Sequence, residues 1–154
     1  MTDILDVDLL AFERGSAKDR IATVDGVMRS LSTGFVYTKH DLSEDMLDET
    51  YDVLSEFFAL PSKSKEQYVA SGARGQTGYT GLLVETAAIS NTPDWKEMLN
   101  WGTPLPPGHP LRDRYPHRYG DPIFPSQHIS NAAEILTHFH ECLVELQTRF
   151  LRII

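Results

Sequence analysis

The sequence predicts an α+β fold, with a helical layer and a few short strands. Two stretches, residues 43–60 and 131–153, repeat apolar residues at helical spacing. β-favouring segments are short and scattered, at residues 4–9, 35–37, 82–88 and 95–101. Seven of the nine prolines lie between Pro104 and Pro125, so that stretch is expected to be an irregular connection rather than a helix or a central strand.

In residues 4–9, Ile4, Asp6 and Asp8 alternate with Leu5, Val7 and Leu9, the pattern of a strand with one buried face. Residues 17–31 carry Ile21, Val24, Met28 and Leu31 at helical spacing, which makes these four the expected buried stripe. Gly34 breaks that pattern before Phe35, Val36 and Tyr37. Ser43 is placed to cap the next helix, with Glu44 and Asp45 at the positive end of its dipole. Its expected stripe is Leu47, Tyr51, Leu54 and Phe58. Pro61 stops it, and Ser62 can cap a short helix reaching Tyr68.

Gly72, Gly75, Gly78 and Gly81 suit a flexible loop, and no Gly-Lys-Ser/Thr ending marks a phosphate loop. The proline-rich stretch contains Tyr115, Tyr119, Ile123 and Phe124, too apolar for a disordered linker, and is expected to pack over the domain surface. Asn131 with Glu134 resembles a capping box. Ile135, Phe139, Leu143, Leu146, Phe150 and Ile153 then follow one face of a long amphipathic helix. There is no internal repeat, and residues 1–154 read as one domain.

Apolar residues make up 41% of the 154 and charged residues 23%, ordinary for a soluble globular protein. A net charge of −8 disfavours nucleic-acid binding, which needs basic patches against phosphate. Cys142 is the single cysteine, so no intrachain disulfide can form and a reducing, cytoplasmic location fits. No run approaches the ~18 apolar residues of a membrane span, and the opening MTDILDVD lacks a signal peptide's basic segment. The acidic balance does not itself identify a partner, since an acidic surface most often serves solubility.

Six histidines raise the question of a metal. His138 and His140 are two apart on a helix, where side chains diverge by roughly 200°, so they cannot share an ion. A non-haem iron site takes two His and one carboxylate on one side of the metal. On a β-scaffold the first His and the carboxylate stand two apart, and no His-x-Asp or His-x-Glu occurs in this chain. Nucleophile-elbow, dinucleotide and zinc-cysteine patterns are also absent. What remains surrounds the glycine loop. Arg74 can clamp a carboxylate bidentately. Tyr79 can stack on or hydrogen-bond to a substrate. Glu85 and Thr86 interrupt an apolar run, from the solvent face or towards a pocket.

Five segments, in order, resemble the N-terminal region of the isopenicillin N synthase-like Fe(II)/2-oxoglutarate dioxygenases, the group with deacetoxycephalosporin C synthase and the ethylene-forming enzyme. ILDVDLLAF resembles the opening strand, I-P-V-I-D-L. GFVYTKHDLSEDML is similar to G-F-F-Y-L-x-N-H-G-I-x-x-x-L, with His40, Asp41 and Leu42 in place of Asn-His-Gly. FFALPSKSKEQY resembles F-F-x-L-P-x-x-x-K-x-x-Y. RGQTGYTGLLVETA, then PDWKEMLNWG, resemble R-G-Y-x-x-x-x-x-E and D-x-K-E-x-F-x-x-G, with a stretched Arg74–Tyr79 spacing.

The resemblance implies the helical layer and first strands of a double-stranded β-helix, or jelly roll, incomplete at its C-terminus. The family's His-x-Asp, distant His and Arg-x-Ser would all follow Ile154. No catalytic or metal residue is then expected in this chain, and Fe(II) and 2-oxoglutarate would serve the complete enzyme. The implied substrate-binding set is Arg74, Tyr79, Glu85, Thr86 and Trp101. Arg74 with Glu85 suits an amino-acid-like metabolite. The alternative is a stand-alone interaction module built on the same fold. Half a sheet leaves unpaired edges, so the chain is expected to be marginal in isolation, pairing with a C-terminal half or with itself.

Overall fold

A computed structural model describes residues 4–89 and 91–154. The opening residues 1–3, part of the segment read above for a signal peptide, lie outside the described residues. Two compact units emerge. One comprises the chain up to Asp45 with Glu141–Ile154, and the other Met46–His140.

The first unit holds β1 (Leu5–Asp8), α1 (Leu9–Arg14), α2 (Ala17–Ser30) and β2 (Val36–Lys39). β1 and β2 pair in parallel, Leu5 opposite Val36 and Asp8 opposite Lys39. The strand expected over residues 4–9 is present but shorter. Asp8 accepts the Ala11 amide at 2.9 Å and caps α1, so Leu9 opens a helix instead of closing a strand. Ser16 and Asp19 form a capping box at the start of α2. Val7, Leu9, Val27 and Ile153 form the core, flanked by Phe12, Val36, Leu146 and Phe150. Arg149 donates to both oxygens of Glu13 at 2.8 Å and to Asp41 at 2.7 Å.

The stripe expected on α2 is not the buried one. Ile21 is 71% exposed, Met28 56% and Leu31 62%, whereas Thr23, Val27 and Ser30 are buried. Close approach explains the reversal. A Cβ on Gly26 would lie 3.2 Å from Val7 Cγ2, so small residues face β1. Their hydroxyls bond within the helix, Thr23 to the Asp19 carbonyl at 2.9 Å and Ser30 to the Gly26 carbonyl at 2.7 Å, so burial leaves no donor unsatisfied.

The second unit contains α3 (Glu44–Ala59) from Met46 on, α4 (Ser62–Lys65), a 3₁₀ turn (Glu66–Tyr68), β3 (Gly78–Thr80), β4 (Met98–Asn100), α5 (Pro110–Arg114) and the start of α6 (Ala132–Phe150). Phe57, Ala132 and Leu136 are fully buried among Val53, Tyr68, Tyr79, Leu99 and Ile129. The Phe57 ring meets Tyr68 and Tyr79 edge-on at 5.8 Å. α3 buries Met46, Thr50, Val53 and Phe57, one position off the expected stripe, and Tyr51 is 69% exposed. Thr50 tolerates burial because its hydroxyl bonds the Met46 carbonyl at 2.7 Å. Ser62 opens α4 and does not cap it; Pro61 occupies the cap position.

Residues 82–88 are not a strand. Leu83 is left-handed at φ +63°, and the segment makes one isolated bridge, Thr86 to Pro93. The strand lies earlier, in the glycine segment. β3 pairs antiparallel with β4, Tyr79 opposite Leu99. Gly78 sits at φ +77°, where a Cβ would be 2.5 Å from the Tyr68 carbonyl oxygen. β4 falls inside the expected 95–101 segment. Against the expectation of a stretch without helix, the proline-rich segment includes one short helix, α5, because Pro110 takes its first position, where an N–H is not needed. Arg112 holds it to both oxygens of Asp121 at 2.8 and 3.0 Å and to the Leu105 carbonyl at 2.7 Å. Ile123 and Phe124 pack on the core. α6 begins at Ala132, as the capping-box pattern indicates, but Leu143 is 38% exposed and leaves the expected stripe. Among the described residues, no helix is long and apolar enough to cross a membrane.

Candidate functional site

The segment between Tyr68 and Thr80 borders a cavity of about 490 Å³ in the second unit. Hydrogen bonds build this segment, which sequence composition alone reads as a flexible loop. Ala73 N donates to the Ala70 carbonyl at 3.2 Å and Gln76 N to the Ala73 carbonyl at 3.0 Å. Asn100 Nδ2, at the end of β4, donates to the Gly75 carbonyl at 2.8 Å. Val69 bridges Gly78.

Arg74 stands at the turn with φ +50°, a left-handed conformation that costs a side-chain-bearing residue about 1–2 kcal/mol. Its side chain lines the cavity and has no hydrogen-bond or ion-pair partner among the described residues. Opposite charge comes from Glu85, also on the lining. Lys96 Nζ holds Glu85 Oε2 at 2.9 Å and Asp94 at 3.2 Å. Glu85 and then Asp94 push the Lys96 ammonium pKa up. Glu85 Oε1 lies on the Gly75 side, where a Cβ on Gly75 would meet it, and Thr80 Oγ1, at 3.3 Å. Val69, Ala70 and Val84 add apolar surface.

Tyr79 is 5% exposed and lines the same cavity. Its hydroxyl donates to Glu97 Oε1. Burial, then the Glu97 carboxylate, push the phenol well above its usual range, so Tyr79 stays protonated. Lys65, itself 5% exposed, reaches Glu97 Oε1 at 2.7 Å and Oε2 at 3.0 Å and donates to the Phe58 carbonyl at 3.0 Å. Lys65 first, then Tyr79, hold the Glu97 carboxyl below its usual range.

Three of the five expected substrate-binding residues thus share one cavity: Arg74, Tyr79 and Glu85. The other two are elsewhere. Thr86 is exposed at the bridge to Pro93. Trp101 packs against the core, 6.5 Å from Phe124 edge-on, and its indole N–H donates to the Leu136 carbonyl at 3.0 Å. Sequence reasoning did not single out Lys65 and Glu97. Both lie in the segments FFALPSKSKEQY and PDWKEMLNWG, and the available signal was that they fall on the fixed K and E of the patterns F-F-x-L-P-x-x-x-K-x-x-Y and D-x-K-E-x-F-x-x-G.

Among the described residues, no group of three or more His, Cys, Asp or Glu could hold a metal ion. His140 Nε2 instead pairs with the Thr103 hydroxyl at 2.9 Å. These residues do not supply the donor set of a non-haem iron centre.

Residues 3–127 match the family described as non-haem dioxygenase in morphine synthesis N-terminal. The chain is similar in structure to a Caulobacter crescentus protein assigned to the 2OG-Fe(II) oxygenase family, with TM-score 0.78 and 28% identity over 100% of this chain and 48% of that one. A full-length Neurospora crassa protein solved in complex with alpha-KG shares the fold at TM-score 0.75 and 20% identity, over 97% of this chain and 45% of that one. The UPF0676 protein C1494.01 of Schizosaccharomyces pombe is 38% identical over 53 residues, which are 34% of this chain and 16% of that protein. The chain therefore spans about half the length of these solved structures. With residues 3–127 matched, most of its length, the chain belongs to the non-haem dioxygenase N-terminal family.

Proposed function

We propose that this chain is the N-terminal, substrate-pocket-contributing part of an Fe(II)/2-oxoglutarate-dependent oxygenase that acts on a C–H bond of a small, amino-acid-like metabolite. The observation that carries the reading is the cavity whose lining brings together Glu85, the apolar Val69, Ala70 and Val84, and Arg74, which has no hydrogen-bond or ion-pair partner among the described residues. Similarity to a 2OG-Fe(II) oxygenase family protein supplies the reaction class. In such an enzyme, Fe(II) and 2-oxoglutarate provide the oxidising chemistry. The described residues do not fit the iron, so this chain's part is to bind and orient. Arg74 takes the substrate carboxylate in its planar fork. Glu85 offers Oε1 to an amino group, and Val69, Ala70 and Val84 give the aliphatic body apolar surface to pack on.

The proposed complete fold is a jelly roll, with this chain (residues 1–154) as its N-terminal domain. Exposed apolar side chains support a covering partner: Ile21, Met28 and Leu31 on the first unit, and Leu83, Val84 and Trp95 on the second. That partner is the iron-binding half, or a second copy in its absence. The same exposed surfaces favour the second reading, a non-catalytic interaction module, which predicts no oxygenase partner carrying His-x-Asp and Arg-x-Ser.

An anaerobic titration with Fe(II) and 2-oxoglutarate, read by the visible charge-transfer band, tests the division of labour. The chain alone gives no band; a stoichiometric band would overturn the proposal. In the complete enzyme, Arg74→Ala and Glu85→Ala should each weaken substrate affinity roughly 10- to 100-fold, the worth of a charged hydrogen bond. Unchanged affinity would remove both residues from the site.

A further inference from the structure

We infer that Lys65 is a positioning residue for the Arg74 cavity: through Glu97 it clamps Tyr79 and so fixes β3 as the cavity wall. This rests on the reading of the cavity as a substrate site, but its geometry can be tested separately.

Three chain segments far apart in sequence meet at one carboxylate. Lys65 ends α4, Glu97 immediately precedes β4, and Tyr79 is the middle residue of β3. Glu97 receives the ammonium on both oxygens and the Tyr79 hydroxyl on Oε1. The ammonium also lies 5.8 Å from the centre of the Tyr79 ring, within reach of its electron-rich face. A third Lys65 donor reaches the Phe58 carbonyl in the last turn of α3, where helix carbonyls lack internal partners and a cation is favoured. Lys65 therefore joins the end of α3 to both strands of the small sheet.

A stability-only device would not need this arrangement. Removing one partner of a buried pair leaves an uncompensated charge, whereas an apolar pair of the same volume is often as stable. What the ionic version adds is direction. A carboxylate held on both oxygens by the ammonium is fixed in orientation, and the remaining acceptor site on Oε1 takes the Tyr79 hydroxyl and so fixes the ring. β3 has three residues and one neighbouring strand, so its own ladder constrains it little. Tyr79 is also edge-on to Phe57, which ties the clamped ring to the core.

The test compares Lys65→Met, Lys65→Arg and Tyr79→Phe in the 154-residue chain. It reads amide hydrogen exchange and the NMR shifts of the Tyr79 ring. A second readout is binding of benzoate, a carboxylate with an apolar body, followed by the amide shifts of Gly72, Gly75 and Gly81. Lys65→Met should speed exchange at Tyr79 and Thr80 at least tenfold beyond any change at Ile135 and Leu136, shift the Tyr79 ring signals, and weaken benzoate in proportion. Lys65→Arg should restore most of each. If Lys65→Met does not fold, Tyr79→Phe keeps the ring and the Lys65–Glu97 pair, and must still show the local loosening of β3. Uniform acceleration throughout the unit, or unchanged β3 exchange in Tyr79→Phe, would overturn the inference. Failure of benzoate to bind the wild-type chain would count against the cavity as a carboxylate site, while the ligand-free exchange data would still decide the clamp.

Discussion

Replacing Gly78 by Ala tests whether the wall of the cavity was built around a missing side chain. Gly78 and Gly108 have nearly the same backbone angle, φ +77° and +79°. The left-handed conformation costs an alanine about 1–2 kcal/mol, offset by about 0.4–1 kcal/mol from a less disordered unfolded chain. Gly108→Ala, with nothing within 4 Å of the new Cβ, should therefore lose only about 1 kcal/mol. At Gly78 the same Cβ would lie 2.5 Å from the Tyr68 carbonyl oxygen and 3.0 Å from Ala70 N. Both are backbone atoms, so no side-chain rotation relieves the overlap. Relief requires β3 to move from residues 68–70, opening the Val69–Gly78 bridge. With roughly 1 kcal/mol for each hydrogen bond lost and strain added, Gly78→Ala should cost at least about 3 kcal/mol, against a total of about 5–15 kcal/mol for an ordinary domain. Urea unfolding followed by tryptophan fluorescence gives the difference, and hydrogen exchange should locate the loosening at residues 68–70 and 78–80. A Gly78→Ala variant within about 0.5 kcal/mol of Gly108→Ala would show that backbone angle alone selects glycine there.

Val27→Ala should destabilise by about 2 kcal/mol, from lost burial and a residual void, whereas Met28→Ala, 56% exposed, should stay within about 0.5 kcal/mol. Thermal melts of the isolated chain that reversed this order would restore the apolar stripe as the buried face of α2. Arg74→Gly should exceed Arg74→Ala in stability by about 1 kcal/mol, because only glycine relieves the strain at φ +50°; equal melts would deny that strain. Glu97 and Glu13 are both held below the usual carboxylate value of 4.5, chiefly by Lys65 and Arg149 respectively. The sign follows: their stabilisation is fully present above about pH 4.5 and is lost as pH falls below it through the folded values. An acid titration of stability should steepen below that point, and Glu97→Gln should flatten the limb; superimposable limbs would refute the Glu97 contribution.

Periodicity located the helices of this chain better than it located their faces. The long terminal helix, the strand after Gly34 and the strand near Trp101 were legible, because large apolar runs and breakers mark them. The buried faces of α2 and α3 were not. Pattern reading weights side-chain size, while the close contact of Gly26 with Val7 selects small residues, and Thr23, Ser30 and Thr50 satisfy their hydroxyls within their own helices. β3 was hidden by Gly78, a residue that lowers strand propensity yet is required by the nearby Tyr68 carbonyl. At the site, Arg74, Tyr79 and Glu85 could be named because they flank the glycines. Thr86 and Trp101 were drawn in by the same neighbourhood in sequence, but the turn at Leu83 and the indole bond to Leu136 take them away from the cavity. The Lys65–Glu97 pair spans 32 residues, and no local spacing rule couples charges at that distance.

The charges around the cavity differ in how they are satisfied. Glu85 is held by Lys96, and Glu97 by Lys65 and Tyr79, so each acid already has partners inside the chain. Arg74 combines a guanidinium that has no partner among the described residues with a left-handed backbone, and Asn100 fastens the carbonyl of the next residue, Gly75. Packing does not account for this, since Arg74 is exposed and a glycine would adopt the turn at lower cost. A left-handed backbone that neighbouring contacts hold in place supports the proposed role of Arg74 as a carboxylate-binding residue set before its ligand arrives. Arg74→Gly then separates two quantities that usually fall together: the chain should become more stable while carboxylate affinity is lost.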